Sequence, residues 1–137
     1  MNRPEILAFL RPQRTMTLAT VGNDGRPQSA TVEFAVGDDL TIVFDTFSTS
    51  RKYLNLQRDR RVACVFTVGN RTVQCEGIAE ELSGEALGRA KALFFATVPR
   101  GAKFDDLPET YYFMIRVGWL RDSDYGQDPW RQEEWTF

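Results

Sequence analysis

Residues 46–52 read Thr-Phe-Ser-Thr-Ser-Arg-Lys, a cluster of hydroxyl side chains followed by two cations. Leu40-Thr-Ile-Val-Phe44 before them has the pattern of a strand, and Tyr53-Leu54-Asn55-Leu56 after them continues a helical one. Hydroxyls at such a junction are helix N-cap residues. A helix start presents unpaired backbone N–H groups and the positive end of the helix dipole. Arg51 and Lys52 at that point add two cations and make an anion site, for which phosphate is the best-suited occupant. The plainer alternative is a capped helix carrying two solvated charges.

The elements that must position this segment read as a mostly β arrangement. Asn2 caps a short helix bearing Ile6, Leu7, Phe9 and Leu10, stopped near Pro12. Strands are expected over 15–21, 27–36, 40–44, 61–68, 71–82 and 111–120. Gly22-Asn-Asp-Gly25 and Gly37-Asp-Asp39 supply turns between them. A helix over about 50–58 follows the hydroxyl cluster, and a second begins at Ser83 with Leu87, Ala90, Leu93 and Phe94 inward. Pro99-Arg-Gly101 stops it, and 100–110 read as a loop. Short strands joined by hairpin turns predict an antiparallel barrel, with flanking helices that argue against a pure β sandwich. A two-residue turn at Gly69-Asn70 would set Cys64 opposite Cys75, where two free buried thiols are expected in a reducing compartment. The polar tail from Arg121 carries Trp130 and Trp135, which predicts that it packs on something.

The chain has 137 residues with no linker, repeat or low-complexity tract, so one domain spanning 1–137 is expected. A net charge of −2 argues against a general nucleic-acid binder while leaving room for a local basic pocket. No apolar run approaches the roughly 20 residues that span a bilayer, and the first residues lack the apolar core of a signal peptide; the expected location is cytoplasmic. There is no histidine, which removes Ser-His-Asp and Cys-His catalysis and imidazole metal sites. Chemistry is therefore expected from a bound cofactor.

Several blocks, in order and spacing, point further. They are Asp24-Gly25-Arg26-Pro27, Phe44-Asp45-Thr46, Ser50-Arg51-Lys52, Asn55-Leu56, Arg61-Val62 and Arg71-Thr72-Val73-Gln74-Cys75-Glu76-Gly77. Over residues 15–82 the chain resembles the pyridoxamine 5′-phosphate oxidase-like flavin-binding split barrels. The resemblance implies a six-stranded antiparallel split β-barrel that forms a homodimer, with FMN in a groove at the dimer interface. It implies Thr46, Ser50, Arg51 and Lys52 around the phosphate, with Asp45 among the cofactor-binding positions. Ala30, Thr31, Val32 and Glu33 would run beside the isoalloxazine ring, and Thr72 would reach the cofactor from the other subunit.

The chain also departs from that pattern. Ala30 stands where pyridoxamine-phosphate oxidases carry an arginine, and Ala35 where they carry a lysine. Their Arg-Leu-His-Asp-Arg-like ending is replaced by Gln132-Glu-Glu-Trp-Thr-Phe137. The resemblance therefore implies an FMN-binding oxidoreductase acting on a small molecule by hydride transfer, and not a true pyridoxamine-phosphate oxidase. A deazaflavin-dependent reductase and a non-catalytic flavin-binding or storage protein are the alternatives. Some relatives bind heme, for which only Tyr or Cys ligands would be at hand here. Arg71 is a candidate for the pyrimidine edge of the flavin, and Trp119 and Trp130 for walls of the pocket.

Overall fold

The computed structural model describes residues 1–137. Helix α1 (Arg3–Leu10) starts at Asn2, whose side chain accepts from Glu5 N–H at 3.1 Å, with Pro4 in its first turn. It buries Ile6, Leu7 and Leu10. Strand β1 (Thr15–Val21) turns Met16, Leu18 and Thr20 into the core and Thr15 and Thr17 outward. The 22–25 turn, with Gly25 at φ +83°, leads into the antiparallel β2 (Pro27–Glu33), in register Thr15↔Glu33. Pro27 has no N–H to donate and opens an edge strand, where that is tolerated.

The expected strand 27–36 is broken at Phe34. Phe34, Ala35 and Val36 are all buried, which no strand with one wet face allows. Phe34 plugs the core edge-on against Phe66, with ring centroids 4.9 Å apart. The two residues after it form β3 (Ala35–Val36), which pairs with β4 (Ile42–Phe47) at the other end of the sheet. The chain thus crosses the open side of the barrel between 33 and 35. Leu40, read as the start of the next strand, instead takes φ +67° with its side chain buried, so β4 begins at Ile42.

Helix α2 (Arg51–Arg58) follows β4. Strands β5 (Arg61–Val68) and β6 (Arg71–Glu81) form the hairpin expected around Gly69-Asn70, and Cys64 lies opposite Cys75 as two free, buried thiols. Helix α3 (Gly84–Thr97) lays Ala90 and Phe94, flanked by Leu87 and Leu93, on Ala35, Val43 and Tyr112. Ser83 precedes it without a side-chain cap bond. Residues Pro99–Phe104, read as the start of a loop, form a 3-10 segment.

Strand β7 (Thr110–Asp124) is five residues longer than expected; one edge pairs with β6, and the other is shared by β4, along 110–115, and β8 (Arg131–Thr136), along 119–124. The tail is thus a sheet strand. Trp135 stands opposite Leu120 and packs on the main core, whereas Trp130 is 70% exposed and rests edge-on against Tyr125. Adding β3 and β8 turns the expected six strands into one eight-stranded antiparallel sheet, order β2-β1-β5-β6-β7-β4-β3 with β8 on β7, curled as a split barrel. No helix is long and apolar enough to cross a membrane.

Candidate functional site

The site is built where α2 closes the open side of the barrel between β2 and β4. Ser50 Oγ accepts from Tyr53 N–H at 3.3 Å and lies 2.7 Å from Thr46 Oγ1. That pair of hydroxyls fixes the exit of β4 to the first turn of α2. The Arg51 and Lys52 amides occupy that first turn, where no intrahelical acceptor exists. Neither side chain enters an ion pair within the chain, and both residues line one cleft beside β2.

Asn55 explains why α2 sits there. Its amide is 3% exposed and donates to Thr20 Oγ1 at 3.0 Å and Gln28 Oε1 at 2.7 Å, tying the helix to β1 and β2. Its Oδ1 accepts from Arg58 at 3.4 Å, and Leu56 beside it is buried in the core. A buried amide left without partners costs about 1–3 kcal/mol, so this network holds the cation-bearing turn in place.

Two clefts adjoin along β2. The first, about 330 Å³, is lined by Leu18, Thr20, Gln28, Ser29, Ala30, Arg51 and Lys52. The second, about 350 Å³, is lined by Thr31, Val32, Glu33, Asp45, Thr46, Ser50, Lys52 and Arg100, among others. Lys52 belongs to both, so they form one groove running from the α2 N-terminus along the edge strand. Nine residues singled out in the sequence, Ala30 to Glu33, Asp45, Thr46 and Ser50 to Lys52, line this groove.

Burial shapes the charges inside it. Desolvation pulls the Lys52 ammonium below its ordinary pKa, with Asp45 pulling the other way. Desolvation also raises the Asp45 carboxyl, helped by the nearby Glu33 charge and opposed by its own backbone hydrogen bond and by Lys52. Glu33 accepts from Arg100 Nε at 3.1 Å and Nη2 at 2.6 Å, across 67 residues of sequence. In the sequence Arg100 belongs only to the Pro99-Arg-Gly101 helix stop, and a contact so distant in sequence leaves no local signal.

Thr72 lies apart. It stands at the β5–β6 hairpin with its Oγ1 3.0 Å from Thr67 Oγ1 and lines neither cleft. Its strand, β6, is separated from β2 by β1 and β5. Arg71 is taken up by Asp122 (3.0 and 2.9 Å) and lies over the Phe9 ring. Trp130 lines neither cleft, and Trp119 walls a different, larger hollow of about 990 Å³ on the outer face.

The sequence pattern described as pyridoxamine 5′-phosphate oxidase matches residues 3–122, and the chain belongs to that family. It is 38% identical over 141 residues to a pyridoxine/pyridoxamine 5′-phosphate oxidase of Burkholderia multivorans, covering 96% of this chain and 64% of that one. Other oxidases of the family are matched over 46% of their length, so the chain spans about half to two thirds of these relatives. Its fold is similar to that of a heme binding protein from Mycobacterium smegmatis, with TM-score 0.85 and 22% identity over 98% of this chain and 57% of that one. It is also similar to a heme storage protein from Vibrio cholerae, with TM-score 0.76 and 16% identity over 97% of this chain and 92% of that one. These likenesses establish the split barrel.

Proposed function

We propose that the groove along β2 binds FMN by its phosphate at the α2 N-terminus, and that the chain works as a flavin-dependent oxidoreductase on a small molecule. The observation that carries this reading is the pair of unpartnered cations, Arg51 and Lys52, on a helix start already fixed by the Ser50–Thr46 hydroxyls. Ser50 to Lys52 would hold the phosphate, and the unpaired edge of β2 along Ala30 to Glu33 would run beside the ring. Bound FMN supplies a ring that accepts and returns a hydride. The chain's own residues anchor, orient and shield. Asp45, with its pKa raised, retains a proton to higher pH than an exposed aspartate would. Trp130 rests edge-on against Tyr125 and lines neither cleft of the groove, which supports access for a substrate and disfavours a storage role. A deazaflavin would use the same phosphate site. Heme, named in two structural neighbours, finds no histidine in this chain, and both cysteines are buried in the sheet.

We also propose a homodimer through the outer face of β1, β5, β6 and β7. The 990 Å³ hollow there is lined by Ala19, Val21, Ile78, Val117, Trp119 and Phe137, with Ile78 40% and Phe137 57% exposed. A second copy on this face is also what would bring Thr72 to a flavin, since Thr72 is outside its own chain's groove. Sedimentation should give a dimer, converted to monomer by Ile78→Asp with loss of FMN uptake; a wild-type monomer would refute this assembly.

The flavin reading is tested by the absorbance spectrum of the purified protein, with mass spectrometry of what denaturation releases. The two visible bands of oxidised flavin and released FMN are expected. A colourless protein that takes up no added FMN would overturn it.

A further inference from the structure

Beside the groove lies a second concavity of about 550 Å³ between the α1–β1 connection and the 3-10 segment. Arg11, Arg14 and Arg100 line it, against one carboxylate, Glu33. In a chain of net charge −2 this is a concentration of positive charge against the overall sign. Arg11 is held by Asp38, a residue outside the cleft. Arg14 has no acidic partner. Arg100 gives two N–H groups to a single oxygen of Glu33, so further donors of its guanidinium remain open. That ion pair is exposed on the arginine side, at 71%, and an exposed pair yields readily to a competing anion. Pro12 and Pro99 fix the two walls at their backbone.

The concavity is continuous with the groove: Thr15, Glu33 and Arg100 line both it and the cleft that holds Asp45 and Lys52. We propose that it is the subsite for an oxyanion, carboxylate or phosphate, at one end of the substrate, held by Arg14 and Arg100. A molecule anchored there places its other end beside β2. The substrate role rests on the flavin reading above; the oxyanion site does not. A planar guanidinium matches the two oxygens of either group, and the volume admits a small molecule rather than a polymer.

The test follows the side-chain Nε–H resonances of Arg14 and Arg100 by nitrogen-15 NMR in the FMN-loaded protein. Inorganic phosphate and benzoate are titrated separately. Saturable shifts at both arginines are expected with one of them, benzoate marking a carboxylate substrate and phosphate a phosphoester. In an Arg14→Ala, Arg100→Ala double variant, probe affinity should fall at least about tenfold with the melting temperature kept, since both side chains are exposed. Shifts that never saturate, or that persist in the variant's remaining basic residues with equal affinity, would overturn the subsite. A protein that refuses FMN but still shows saturable Arg14 and Arg100 shifts would sink the flavin reading and support the oxyanion site.

Discussion

Asp45 and Lys52 face one cleft without touching as an ion pair, and each is shifted by burial toward its neutral form. For Asp45 the sign follows from linkage. A carboxyl whose folded pKa lies above its unfolded one contributes stability fully below the unfolded pKa and loses it as pH rises through the folded value. At neutral pH the Asp45 charge is therefore a cost. Asp45→Asn should raise the melting temperature at pH 7, and the gain should shrink as pH falls through the carboxylate range. A gain independent of pH, or a loss at pH 7, would contradict the assignment. The cost is understandable if the cleft serves binding, since natural proteins tolerate local strain at functional sites. Much of the residue-scale site was legible: the hydroxyl-then-cation spacing of 46–52 marks a capped helix start wherever it occurs. The Asp45–Glu33 interplay and the Arg100 contact were not, because both depend on which strands come together.

At the scale of elements, strand boundaries that follow alternation alone were readable: 15–21 and 61–68 form strands over those residues. The misses have physical causes. Burial of Phe34 through Val36 on both faces broke the second strand, and the positive φ of Leu40 delayed the next. The last strand, 131–136, is highly polar, with Gln132, Glu133 and Glu134 exposed, so its pairing to β7 overrides its composition. A bulge between β6 and β7 leaves Gly118 unpaired, where the register shifts from Glu76↔Trp119 to Gly77↔Val117. At Gly77 an added Cβ would stand 2.3 Å from the Arg116 carbonyl oxygen, a backbone atom that cannot rotate away. Gly77→Ala should therefore cost about 1–3 kcal/mol in urea unfolding, as overpacking does. A change below about 0.5 kcal/mol, the range of a surface substitution, would mean the strands can separate there at little cost.

For the whole molecule, the family and the barrel were readable from ordered blocks of sequence, and the match over residues 3–122 agrees. The extra strands were not, because β3 and β8 exist only through their partners. The clefts likewise arise from the crossover between 33 and 35, which carries β2 and β4 to opposite sides of one opening and lets α2 close it. The central claim is that this opening is a flavin phosphate site. Its most direct measurement compares FMN with riboflavin, which lacks the phosphate, by fluorescence titration of the wild type and an Arg51→Ala, Lys52→Ala double variant. Charge-assisted hydrogen bonds are worth about 1.5–3 kcal/mol each, so losing two should lower FMN affinity roughly 100- to 10,000-fold in the variant. Riboflavin affinity should stay within about twofold of the wild type, because the ring wall on β2 is untouched. Equal losses for both ligands, or no loss for FMN, would contradict the account.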